Sequence, residues 1–175
     1  MPNCVNALKE WMGKARATIV YDSTVDEFTA RCLFQKVKGR SNVAVVGFTT
    51  DGDVFGGYYC RAVTEQMKTV YDPTIFAFSF ESRGRCATPQ RFAVREWLNE
   101  KAYVKFYQKN TYGFVWFGVD DVGNFRLGNE KLESFCCDLS DAFEGLEDTT
   151  LSGQDTKYGT GPYHHCTRLV AVQLS

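Results

Sequence analysis

The chain has 175 residues, 44% hydrophobic and 23% charged, with a formal net charge of −1. That is the length of one domain with a real core, and the balanced charge excludes a global field that would draw in nucleic acid or an anionic membrane. No apolar run reaches membrane-spanning length, so membrane insertion is not expected.

The N-terminus reads as a helix, because Val5, Leu8, Trp11 and Met12 share a face and Gly13 ends it. Ala17 to Tyr21 reads as a strand. Ser23 to Arg40 contains the clearest helix. Thr24 and Glu27 form a candidate capping box, Lys36 and Lys38 suit the negative end, and Gly39 suits a left-handed cap. Its expected core face is Val25, Phe28, Cys32 and Leu33.

Beyond this helix the hydrophobic period changes to that of strands. Strands are predicted at Val43–Thr49, Val54–Cys60, Ile75–Phe80, Arg91–Arg95, Ala102–Gln108, Gly113–Phe117, Asn124–Leu127 and Thr167–Leu174. A short helix is predicted at Val63–Val70 and a surface loop at Gly145–Pro162. An aromatic content of 15%, with 14 Phe and 9 Tyr, supports the strand bias. Several strands are apolar on both faces. The expected fold is therefore α+β and β-dominated, a sandwich of two antiparallel sheets flanked by two to three helices.

The stretch TTDGDVFGGYYC (Thr49 to Cys60) could be a calcium loop, a phosphate cradle or a hairpin. A calcium loop starting at Asp51 would place Phe55 and Ala62 where oxygen ligands are required. No Lys-Ser/Thr follows the glycines, as a phosphate cradle needs. A hairpin fits: Asp51-Gly52 makes a two-residue type I′ turn, which pairs Phe48 with Phe55 and Gly47 with Gly56. Gly47, Gly56 and Gly57 then form a bare patch onto which an aromatic ring or a crossing backbone is expected to pack.

Other motifs bear on chemistry. The 7 cysteines are odd in number and irregularly spaced, MPNCVNALKE has no apolar signal core, and no Asn-x-Ser/Thr acceptor occurs. The reading is of packed thiols in the cytoplasm. Cys86, with Arg83, Arg85 and Arg91 close in sequence, is the best candidate for a reactive thiol, followed by Cys136 and Cys137. Adjacent cysteines on a strand face opposite ways, so they and His164/His165 make a poor zinc site. Asp120-Asp121 reads as a turn, and no nucleophile elbow accompanies the histidines. Gly113, Phe114, Val115 and Phe117 match half of an RNA-recognition strand, and KAYVKFYQK alternates basic and aromatic residues as a base-stacking platform would. The leading Lys/Arg-Gly is missing, so nucleic acid is not expected. No catalytic residue, metal or cofactor is assigned.

The segments IVYDSTVDEFTARCLFQKVKGRSNVAVVGFTTDGDVFGGYY, DPTIFAFSF, VWFGVDDVGNFRL and RLVAVQL, in that order, resemble the TLDc domain family. Phe55-Gly56-Gly57 is the most specific piece, and the resemblance runs from about Trp11 to the C-terminus within a single domain spanning 1–175. It implies a β-sandwich and a non-enzymatic role in oxidative-stress resistance. It also implies binding of a protein partner such as the vacuolar proton-pumping ATPase. The alternative is a thiol antioxidant using Cys86 or Cys136/Cys137. Arg168 stands where many members of the family have an acidic residue.

Overall fold

A computed structural model describes residues 2–108, 113–129, 131, 134–154 and 163–175. Helix α1 (Pro2–Met12) leads through Gly13 into strand β1 (Ala17–Asp22), followed by helix α2 (Ala30–Val37). Strands β2 (Val43–Thr49), β3 (Val54–Tyr59), β4 (Val70–Tyr71), β5 (Phe76–Glu81) and β6 (Gln90–Ala93) come next. A 3₁₀ helix, Glu96–Lys101, precedes β7 (Ala102–Phe106), β8 (Val115–Val119) and β9 (Gly123–Leu127). Strand β10 (Cys136–Cys137), helix α3 (Leu139–Ala142) and β11 (Cys166–Leu174) complete the order.

Two antiparallel sheets form the sandwich. One runs β1-β11-β2-β3-β5-β6 and the other β10-β9-β8-β7-β4. Between them lies the main core, in which Val43, Val45, Phe55 and Tyr59 meet Val104, Phe106, Phe117 and Phe125. On the outer face of the six-stranded sheet, Ala44, Val46, Tyr58 and Phe78 pack with Leu8 of α1. This explains why NVAVVGF is apolar throughout: alternate residues of β2 face the second sheet and α1.

The α2 helix begins later than its sequence signals suggest. Thr29, not Thr24, is its N-cap and accepts from the Cys32 N–H at 3.2 Å. Asp22 captures Thr24 instead, accepting from its N–H at 3.0 Å and its hydroxyl at 2.8 Å. This local turn competes with helix formation. Val25 is consequently 83% exposed, and the buried face is Ala30, Leu33, Phe34 and Val37. Phe28 and Cys32 do pack against the core.

No helix forms at Val63–Val70. Tertiary bonds hold that stretch across the sandwich: the Gly39 N–H donates to Val63 O at 2.9 Å, and the Met67 N–H donates to Phe106 O at 2.7 Å. Of the expected loop Gly145–Pro162, residues 155–162 lie outside the described ones. Leu146 and Leu151 are buried, so the described part is packed, not a free surface loop.

The β2–β3 register differs by one residue from the expected pairing. Gly47 lies opposite Phe55, Val46 opposite Gly56 and Val45 opposite Gly57. The reason is the turn. The Thr49 N–H donates to Asp53 O at 2.9 Å, and the Gly52 N–H donates to Thr49 O at 3.2 Å. Gly52 has φ +92°, whereas Asp51 is not left-handed. This is a three-residue loop in which a type I turn ends in a left-handed glycine, not a type I′ turn.

Candidate functional site

The six loop and glycine candidates serve the architecture. Gly57 and Gly47 open toward the second sheet. A Cβ on Gly57 would stand 2.5 Å from Phe117 Cγ, and one on Gly47 would stand 2.8 Å from a Leu127 methyl. Gly56 opens outward, where a Cβ would overlap the Val45 carbonyl and approach Phe78. Aromatic rings and backbone thus occupy the bare patch, with the three glycines divided between two faces. Asp51 and Gly52 shape the turn, and Phe55 stacks edge-on to Phe125 and His164 in the core.

Asp53, which sequence reasoning passed over, is the centre of the strongest polar cluster. It is 1% exposed and accepts from Arg83 Nε at 3.0 Å, Arg83 Nη2 at 3.1 Å and Arg85 Nη2 at 2.7 Å. Arg85 also donates to the carbonyls of Thr150 and Leu151, both at 3.1 Å. One carboxylate therefore ties the hairpin, the Arg83–Cys86 loop and the 150–153 turn together. A buried acid directly after a turn, with two arginines in SRGR, is the signal that was available.

This clamp changes the case for Cys86. Arg83 and Arg85 point their charge at Asp53. Arg91 donates to Trp11 O at 3.1 Å and lies over the Phe76 ring. The Cys86 thiol rests against the Ser82 hydroxyl at 3.4 Å. Cys136 is buried and accepts from Ser152 Oγ at 3.6 Å, whereas half-buried Cys137 donates to the Asp138 carboxylate at 3.0 Å. Burial pushes the Cys166 thiol up to about 12. Among the described residues, no three His, Cys, Asp or Glu side chains are grouped to hold a metal ion.

His164 is buried, with Nε2 2.8 Å from the Arg126 carbonyl oxygen, and has no opening to act as a base. Desolvation holds its pKa down to about 4 from an ordinary 6.5. Between these values the unfolded chain takes a proton that the folded chain refuses, so this stability is complete above pH 6.5 and is lost as pH falls toward 4. We expect a loss of about 2 kcal/mol between pH 7 and pH 5, read by urea denaturation, with a shallower slope in His164→Gln. Equal slopes in the two proteins would refute the assignment.

Asp22 and Arg168 form the other well-held ion pair, with Arg168 Nε 3.0 Å from Asp22 Oδ1. The Arg168 guanidinium draws the Asp22 carboxyl down to about 2. The basic residue that departs from the family pattern therefore has a partner within the chain.

The RNA-like strand is turned the wrong way for stacking bases, since Phe114, Val115 and Phe117 are buried between the sheets. Trp116 faces outward. There Lys105 lies over Tyr107, Tyr107 stacks on Trp116, and the Arg126 guanidinium lies between Trp116 and Phe135. The basic and aromatic alternation of KAYVKFYQK thus supplies part of a cation–aromatic ladder on the outer face of the five-stranded sheet.

The class these features define is a two-sheet antiparallel β-sandwich flanked by short helices. The family model for the TLDc domain matches residues 4–160, and the chain belongs to the TLDc domain family. No curated protein matches the chain. The matched region ends before β11, which nonetheless lies between β1 and β2 in the six-stranded sheet.

Proposed function

We propose that the protein is a non-enzymatic interaction domain of the cytoplasm that supports oxidative-stress resistance by binding a protein partner. Subunits of the vacuolar proton-pumping ATPase are the partner we favour. The observation that carries this reading is the TLDc match across residues 4–160. The packed environments of Cys136 and Cys166, and the engagement of Arg83 and Arg85 by Asp53, also favour it over thiol chemistry. No helix among the described residues is long and apolar enough to cross a membrane.

The test uses wild type and a cysteine-free variant as paired baits in a lysate of cytosol plus membranes. Both are expected to recover proton-pump subunits. Recovery by neither, with peroxide consumed by wild type alone, would replace binding by cysteine chemistry at Cys86 or Cys136/Cys137.

A further inference from the structure

Along α2, Arg31, Gln35 and Lys38 recur at positions i, i+4 and i+7 and share one face of the helix. All three are exposed. Beside this row runs a groove of about 380 Å³. Phe34 and the row itself line its helix side, while Gln66 borders it from the stretch before β4 and Gln108 from the chain after β7. Two of these walls are ordered in advance. Phe34 is buried and packs on Phe106, and Gln66 Nε2 donates to the Tyr107 carbonyl at 2.7 Å.

The charge in the groove has one sign. Among the described residues, Arg31 and Lys38 are the charged groups that line it, and neither makes an ion pair. The carboxylates nearest in the chain are engaged or lie outside it. Asp26 holds Lys36 at 2.8 Å, and Glu65 holds Lys68 at 3.2 Å. Glu27 lines a separate depression with Val25, Asp26 and Cys32, which meets this groove at Arg31 and Gln35.

Exposed cations on a helix are ordinarily no more than a solvated face, and Lys38 suits the negative end of the helix dipole. Arg31 does not fit that account. It stands in the first turn of α2, at the positive end of the dipole, and that turn holds no acidic residue. A residue that breaks a local rule without compensation inside the chain points to function, and an anion from outside would supply that compensation.

The geometry selects among anions. Arg31 and Lys38 are seven residues apart, about 10 Å along the axis, so a bare phosphate is too small to meet both. The wall between and opposite them is amide, and Gln amides pair with the main chain of a segment as well as with its carboxylates. The net charge of −1 supplies no wider field for a membrane or a nucleic acid.

We infer that the Arg31–Gln35–Lys38 face of α2 and its groove form the docking surface for an acidic segment, bearing Asp or Glu, of a protein partner. This rests on the interaction-domain reading and adds the face and the chemistry of the partner.

The probe is a short labelled peptide of alternating glutamate and serine, compared with its lysine counterpart, titrated into the full chain by fluorescence anisotropy with amide-shift mapping. The glutamate peptide is expected to bind more tightly and to weaken with added salt. The shifted amides should fall at Arg31–Lys38, Gln66 and Gln108. Arg31→Gln with Lys38→Gln should weaken binding about tenfold, whereas Lys101→Gln with Lys131→Gln, an equal loss of charge elsewhere, should leave it unchanged. Arg31→Gln alone should melt no lower than wild type, because it takes a cation away from the positive end of the helix. Equal binding of the two peptides, an equal loss in the remote pair, shifts confined to another face, or a lowered melting temperature for Arg31→Gln would overturn the proposal. Displacement of the peptide by inorganic phosphate or by anionic-lipid vesicles at matched charge would overturn it too, by showing an unspecific anion surface. Purified proton-pump subunits give a separate arm. Equal capture by wild type and the Arg31→Gln, Lys38→Gln variant overturns this face and keeps that partner. Capture by neither removes that partner, and the peptide titration then decides the face.

Discussion

A Gly56→Val chain is expected to accumulate as insoluble protein, or to melt far below wild type. The new Cβ would overlap the Val45 carbonyl oxygen and stand 2.7 Å from Phe78 Cζ. Neither neighbour can yield cheaply. Val45 lies within β2, paired with β3 and β11 on its two sides. Phe78 is fully buried and packed against Phe76, Phe80 and Trp11. Overpacking of this kind costs upwards of about 3 kcal/mol, a large share of a domain's stability. Gly57→Val should behave similarly by driving into the Phe117 ring. Gly52→Ala provides the contrast. Nothing lies within 4 Å of its added Cβ, and only the left-handed φ of +92° resists, at about 1 kcal/mol. Circular-dichroism melts of the three variants check the order. A near-normal melt for Gly56→Val would mean that β2 and β3 can shift against each other and Phe78 can yield beneath α1, and the close-packed account of this outer face would be wrong.

The strands were legible because burial imposes a period of two, and it did so on both faces of β2. The existence of a hairpin at Asp51-Gly52 was legible for the same reason. Its register was not. Only the backbone angle of Asp51 separates a type I′ turn from a type I turn ending in a left-handed glycine, and local sequence suits both. The helix expected at Val63–Val70 failed because its apolar spacing serves tertiary contacts: Val63 enters the core, and Met67 takes a positive φ. Thr24 was misread as a cap because Asp22, two residues earlier, competes for its N–H and hydroxyl. At the candidate site, the electropositive run around Cys86 was visible, but its target was not. Asp53 lies 30 residues before Arg83 in the chain and meets it only because β3 pairs with β5.

Asp53→Ala is expected to cost about 2–3 kcal/mol, because it removes three charge-assisted hydrogen bonds at once. The three members of the cluster should not contribute equally. Arg83 is 47% exposed, so its pair with Asp53 is screened by water, and Arg85 still donates to the carboxylate when Arg83 is lost; Arg83→Ala should cost about 1 kcal/mol. The Arg85 side chain is 23% exposed and also holds the Thr150 and Leu151 carbonyls. Arg85→Ala should therefore fall between the other two, and it should loosen the 150–153 turn specifically. Urea denaturation gives the order Asp53, Arg85, Arg83. Limited proteolysis gives the location, with faster cutting near Leu151 in Asp53→Ala and Arg85→Ala but not in Arg83→Ala. An Arg83→Ala cost equal to that of Asp53→Ala would show that the exposed guanidinium carries the pair. The carboxylate would then act as a surface partner instead of the buried pin that joins the hairpin to both loops.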